Sequence, residues 1–153
     1  MTNEHLAQFL AAAKRATYAS QGDNASVTPL LSGSRQLEFQ LGSVLYRDIY
    51  FGFTFFVGQE TVYENEKPIW AMSYAGGMMD ANAAVEAVYK FLQFALRQVD
   101  VANPYRGPGL IRGEGFQYTC QTNGALENFW GIERISQNRG IVYELRYHGG
   151  HIR

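Results

Sequence analysis

Residues 68–77 read PIWAMSYAGG, and residues 141–150 read IVYELRYHGG. In both, large and small or polar side chains alternate before a pair of glycines, the period-two pattern of a β-strand with a marked exit. Trp70, Met72 and Tyr74 fall on one side of the first strand, and Tyr143, Leu145 and Tyr147 take the matching places in the second. Glycine tolerates the positive φ angles such an exit needs, so the doublets read as architecture and not as a phosphate-binding loop.

Outward from these strands, further matches follow in order. FLAAAKR (9–15) matches FLQFALR (91–97); Pro29 and Leu31 match Pro108 and Leu110; Leu37 and Phe39 match Phe116 and Tyr118. Asp48 and Tyr50-Phe51-Gly52 match Glu127 and Phe129-Trp130-Gly131. An ordered series of this kind describes a tandem unit of one helix and three strands, at roughly 3–77 and 80–150. Each half alone, about 75 residues, would be marginal in the surface it buries, so residues 1–153 are expected to form a single domain with one shared core.

Local signals fill in the elements. Thr2 or Asn3 caps a first helix that runs to about Tyr18 and is followed by a loop rich in Gly, Asp, Asn and Ser. Strands are expected at roughly 35–40, 43–51, 53–63 and 69–75. Asp80 caps a second helix, which Pro104 and Pro108 bar from continuing. Strands at about 114–121, 125–135 and 141–148 close the chain, joined at Asn123-Gly124 and at Gln137-Asn138-Arg139-Gly140. The expected fold is α+β, a two-layer sandwich in which tandem α-β-β-β units form an antiparallel sheet of six or seven strands with two helices on one face. Small residues suit close helix packing, so the Trp70, Met72 and Tyr74 side is assigned to the open face.

Composition narrows the function classes. The 153 residues are 46% hydrophobic and 18% charged, with a net charge of -1, a globular balance without the basic footprint of a nucleic-acid or anionic-membrane binder. No apolar run approaches the length of a membrane helix, and the N-terminus has no basic leader, which reads as a cytoplasmic protein. Cys120 is the single cysteine, so no intramolecular disulfide or CxxC pair forms. His5, His148 and His151 do not make a ligand set, and neither metal nor cofactor is expected. Ten Tyr, ten Phe and two Trp exceed what a core of this size needs, so some should line a pocket or an interface.

YRDIYFGFTFFVGQETVYENEKPIWAMSYAGG, the PYRGP at 104–108 and the closing YELRYHGG resemble the bacterial domain-of-unknown-function family 5680. In some proteins that domain follows a repressor-type helix-turn-helix. The resemblance implies no particular activity or catalytic residues; fusion to a DNA-binding module suggests small-molecule sensing by analogy.

Asp48 and Glu127, each two residues before an aromatic, are the candidate chemistry. Brought together among Tyr46, Tyr50, Trp70, Tyr74, Trp130 and Tyr143, they would form an aromatic groove suited to a cationic or aromatic ligand. This points to a non-catalytic small-molecule-binding or sensing module. Two alternatives stay open: a protein-interaction or homodimerisation domain using the same aromatics, and an enzyme using Asp48 and Glu127 as acid and base. Tyr105 and Arg106 could clamp an anion, or serve a rigid crossover loop that packs Tyr105 on the sheet.

Overall fold

A computed structural model describes residues 1–17 and 26–153. Tyr18 and most of the loop expected after it lie outside the described residues. Helix α1 (Asn3–Ala16) starts at Thr2, whose hydroxyl accepts from the His5 amide at 3.3 Å. Strands β1 (Arg35–Leu41), β2 (Val44–Gly52), β3 (Phe55–Glu64) and β4 (Lys67–Met78) follow. Helix α2 (Val85–Leu96) then leads through a long crossover to β5 (Leu110–Gly113), β6 (Phe116–Ala125), β7 (Asn128–Gln137) and β8 (Gly140–His151). All eight strands join one antiparallel sheet in the order β1-β2-β3-β4-β8-β7-β6-β5. No helix among the described residues is long and apolar enough to cross a membrane.

The two quoted strands are the two central ones. They run antiparallel with Tyr74 directly opposite Tyr147, so each half of the sheet fans outward from that pair. Equivalent contacts recur on both sides: Gly58 faces Tyr74 as Gly131 faces Tyr147, and Glu60 faces Met72 as Glu133 faces Leu145. The register slips after Val62 in β3 and after Ile135 in β7. Tight turns at Asn65-Glu66 (φ 49° and 65°) and Asn138-Arg139 (φ 49° and 67°) have the doubly positive φ of the hairpin turns that match strand twist.

Four features differ from expectation. The sheet has eight strands because Leu110–Gly113, a four-residue segment just beyond the Gly- and Pro-rich crossover, pairs with β6. Asn123-Gly124 does not turn: both residues lie inside β6, opposite Trp130 and Phe129, and the hairpin closes at Leu126-Glu127. Gly124 uses its positive φ of 94° to bend the strand where a Cβ would come within 2.2 Å of the Asn128 carbonyl. Helix α2 begins at Val85; Asp80 instead accepts from the Asn82 amide in a preceding turn at 2.8 Å.

The fourth difference concerns the faces. Trp70, Met72 and Tyr74 lie beneath the helices, fully or almost fully buried, in one cluster with Phe9 and Leu10 of α1 and Phe91 and Leu92 of α2. Two helices cannot cover eight strands with small side chains alone. The helices supply many of the small residues (Ala7, Ala13 and Ala95 are buried), and the sheet supplies the bulk that fills the gap. The face carrying Ile69, Ala71, Ser73 and Ala75 is the open one.

The β4–β8 contact leaves no room at its glycines. A Cβ on Gly76 would sit 2.3 Å from the Glu144 carbonyl oxygen and 2.4 Å from Leu145 Cα, both backbone atoms. Gly76→Ala should lower unfolding free energy by about 1–3 kcal/mol, whereas Gly109→Ala, whose Cβ would meet nothing nearer than 4.0 Å, should be close to neutral. Urea unfolding of the two variants measures the contrast.

Candidate functional site

Three acidic side chains point from the sheet into the space under the helices: Asp48 on β2, Glu60 on β3 and Glu133 on β7, all buried. Asp48 pairs across the strands with Glu60, and Cys120 takes the corresponding place opposite Glu133. Buried carboxylates need partners, and two cations arrive from outside the sheet. Lys14, in the last turn of α1, hydrogen-bonds Glu60. Arg106, in the crossover after α2, holds Glu133 in a fork through Nε (3.2 Å) and Nη2 (2.9 Å), and its Nη1 lies 3.9 Å from Glu60. Two phenols complete the Glu133 shell, Tyr118 donating at 2.6 Å and Tyr143 at 2.9 Å.

The PYRGP segment is therefore a strut. Tyr105 packs on Phe129 with ring centres 4.5 Å apart, and the Gly107 amide donates to Tyr118 Oη at 2.9 Å. Arg106 spends its charge on internal carboxylates. Burial works against that charge, but Glu133, Tyr143 and Glu60 together outweigh it and hold the guanidinium pKa well above its ordinary value. Lys14 is moved the other way: burial lowers its pKa against the pull of Glu60.

Asp48 is the exception in the cluster. Its carboxylate accepts from Tyr74 Oη at 2.7 Å, but among the described residues no cation forms an ion pair with it. Burial, then repulsion from Glu60, pushes its pKa up to about 7. It also stands at the base of a crevice of about 130 Å³ walled by Tyr50, Phe53, Phe56, Tyr74 and Tyr89, with Arg35 and Gln93 among the other lining residues and Arg106 beside Asp48. Phe56 meets Tyr50, Tyr74 and Tyr89 edge to face at centre distances of 6.5, 6.1 and 6.4 Å, which fixes the aromatic walls.

A family model described as "Domain of unknown function (DUF5680)" matches residues 48–152, from Asp48 almost to the end of the sheet. The chain belongs to this family. No curated protein and no solved structure matches. The DUF5680 match contains Asp48, Glu60, Arg106 and Glu133 but not Lys14, which α1 supplies from outside it.

Of the residues singled out from the sequence, Asp48, Tyr50 and Tyr74 line the crevice together, and Tyr46 and Tyr143 border the charges behind it. Trp70 does not reach it; it stacks on Phe129 at 5.6 Å and donates to the Leu126 carbonyl at 3.2 Å. Trp130 is 56% exposed, and alternation along β7 puts it on the opposite face from buried Phe129. Glu127 sits exposed in the β6–β7 turn, bonded to Asn3, and does not converge with Asp48, a point the sequence left open. The acid that corresponds to a partner across the sheet centre is Glu60 with Glu133. No group of three His, Cys, Asp or Glu among the described residues could hold a metal ion.

Sequence reasoning missed Lys14, Glu60, Glu133, Tyr89 and Phe56. One signal was present: within the matched helices FLAAAKR and FLQFALR, Lys14 occupies the buried place of Leu96. A lysine on the apolar stripe of a helix needs a buried acid to meet it.

Two stability predictions follow from the charges. Arg106→Met leaves Glu133 and part of Glu60 uncompensated and should cost about 3–5 kcal/mol in chemical unfolding. Asp48, with its folded pKa about 7 against an ordinary 3.8, binds its proton more tightly folded than unfolded. Its contribution to stability is therefore present below the unfolded value and lost as pH rises to about 7. Asp48→Asn should flatten that slope and raise stability at pH 8 by on the order of 2–4 kcal/mol.

Proposed function

We propose that this DUF5680 domain is a non-catalytic small-molecule-binding module whose ligand presents a cationic head to Asp48. The observation that carries the reading is a buried carboxyl, without an ion-pair partner among the described residues, at the base of an aromatic-walled crevice. Lys14 answers Glu60 and Arg106 answers Glu133, so an ionised Asp48 leaves the cluster one negative charge in excess. A bound monocation removes that excess, and each ring it faces adds about 0.5–2 kcal/mol of cation–π attraction.

The crevice, at about 130 Å³, takes a small ammonium or amidinium head and leaves the remainder of the ligand to extend past Tyr89 and Gln93. Arg106 also borders it, but as the partner of Glu133 its charge is already met. Binding a cation favours the ionised carboxylate, so the ligand competes with the proton on Asp48. Affinity should therefore rise about tenfold per pH unit below the Asp48 pKa and level off above it.

Thermal-shift titration with primary amines, amidines and quaternary ammonium compounds at pH 6 and pH 8 tests this reading, with uncharged isosteres as controls. At least one cation should raise the melting temperature, more at pH 8 than at pH 6, and Asp48→Asn should abolish the shift while remaining folded. No shift across the panel at either pH, or shifts that survive Asp48→Asn, would overturn the assignment.

A further inference from the structure

The open face of the sheet carries a second and larger concavity, a trough of about 670 Å³ over β2, β3, β4 and β8. Its lining has a direction. Across adjacent strands, Phe51 faces Val57, Val57 faces Ala75, and Ala75 faces Arg146, so one row passes from an aromatic ring through aliphatic groups to a guanidinium. The next row runs from Ile49 through Gln59 and Ser73 to His148. Both rows are apolar at β2 and basic or imidazole-bearing at β8. At the usual strand spacing a row spans roughly 15 Å.

Arg47, paired with Glu38, also borders the trough, and among the described residues no aspartate or glutamate lines it. Arg146 commits only its Nε, to Glu144 at 3.2 Å; its side chain is 72% exposed, which leaves the terminal nitrogens of the fork to a ligand. The apolar end is similarly uncovered, with Phe51 43% and Val57 50% exposed. The geometry points to a binding site for an amphipathic carboxylate, its aryl or alkyl body on Phe51, Val57 and Ala75 and its carboxylate in the Arg146 fork beside His148. Planar, bidentate recognition is what an arginine supplies to a carboxylate. A second copy of the chain fits this face less well, because it brings the same arginines and no acid among the described residues lines the trough to receive them.

The site is separate from the Asp48 crevice, on the other face of the sheet and for the opposite charge. Titration of the protein with naphthoate and decanoate, followed by amide chemical shifts, tests it. Saturable binding should perturb β2, β4 and β8. Naphthamide should bind about tenfold more weakly, as expected when a charge-assisted hydrogen bond is lost. Arg146→Glu should weaken naphthoate by about tenfold or more with an unchanged melting temperature, Val57→Glu should block it, and Asp48→Asn should leave it intact. Equal affinity for naphthoate and naphthamide, or indifference to Arg146→Glu, would refute the proposal. So would a dimer in sedimentation that Val57→Glu dissociates, since the face would then belong to a second copy.

Discussion

The buried pairing of Arg106 with Glu133 is the charged link between two distant parts of the chain. Arg106 comes from a crossover with no regular structure, and Glu133 from a strand near the middle of the sheet. Taking such a pair out of water costs several kcal/mol per ion, and the cost is met only when every remaining oxygen and proton is satisfied. Here the two phenols and the fork do that for Glu133, while Lys14 serves Glu60. The pairs are not a source of large net stability. They restrict where α1 and the crossover can lie, because moving either one strands a charge in the core.

That constraint separates the two faces of the sheet. The helix side is filled by aromatic bulk and by polar groups whose hydrogen bonds are internal, so the crevice at Asp48 is narrow. On the far side no helix among the described residues covers the sheet, and Phe51, Phe55, Val57 and Trp130 are exposed. Charge is also divided between the faces. The acids in excess lie beneath the helices, and the trough on the outer face is bordered by arginines. A domain with a net charge of -1 can thus present opposite local fields within the thickness of one sheet.

Much of the architecture is legible in the sequence because it rests on short-range rules. Thr2 caps α1, the apolar spacing of Phe91, Leu92, Ala95 and Leu96 marks α2, and the turn signal at Asn138-Arg139 falls where a hairpin forms. Where long-range packing decides, the same rules fail. Asn123-Gly124 carries a strong hairpin signal, yet the φ freedom of Gly124 serves a bend against Asn128. Leu110–Gly113 is too short and too close to glycine to announce a strand until β6 lies beside it. The buried face could not be read because both sides of β2 and β3 are rich in aromatic or branched residues. Asp48, Tyr50 and Tyr74 were visible as a group, but Glu60 and Glu133 look like solvent-facing strand acids until Lys14 and Arg106 are placed over them.

The opposite half of the sheet builds the place of Asp48 without an acid. Tyr147 meets Cys120 at 3.1 Å much as Tyr74 meets Asp48 at 2.7 Å, and Cys120 sits opposite Glu133 as Asp48 sits opposite Glu60. One half thus satisfies its tyrosine and packs its strand with a neutral thiol, whose pKa burial raises further. The other half places a carboxylate directly across from a second carboxylate, an arrangement that like-charge repulsion disfavours. Since the architecture works with a small neutral group at this position, the acid is a cost that folding does not require. It is also the acid of the buried cluster that borders the crevice, where a ligand's charge would relieve the repulsion that the fold leaves in place.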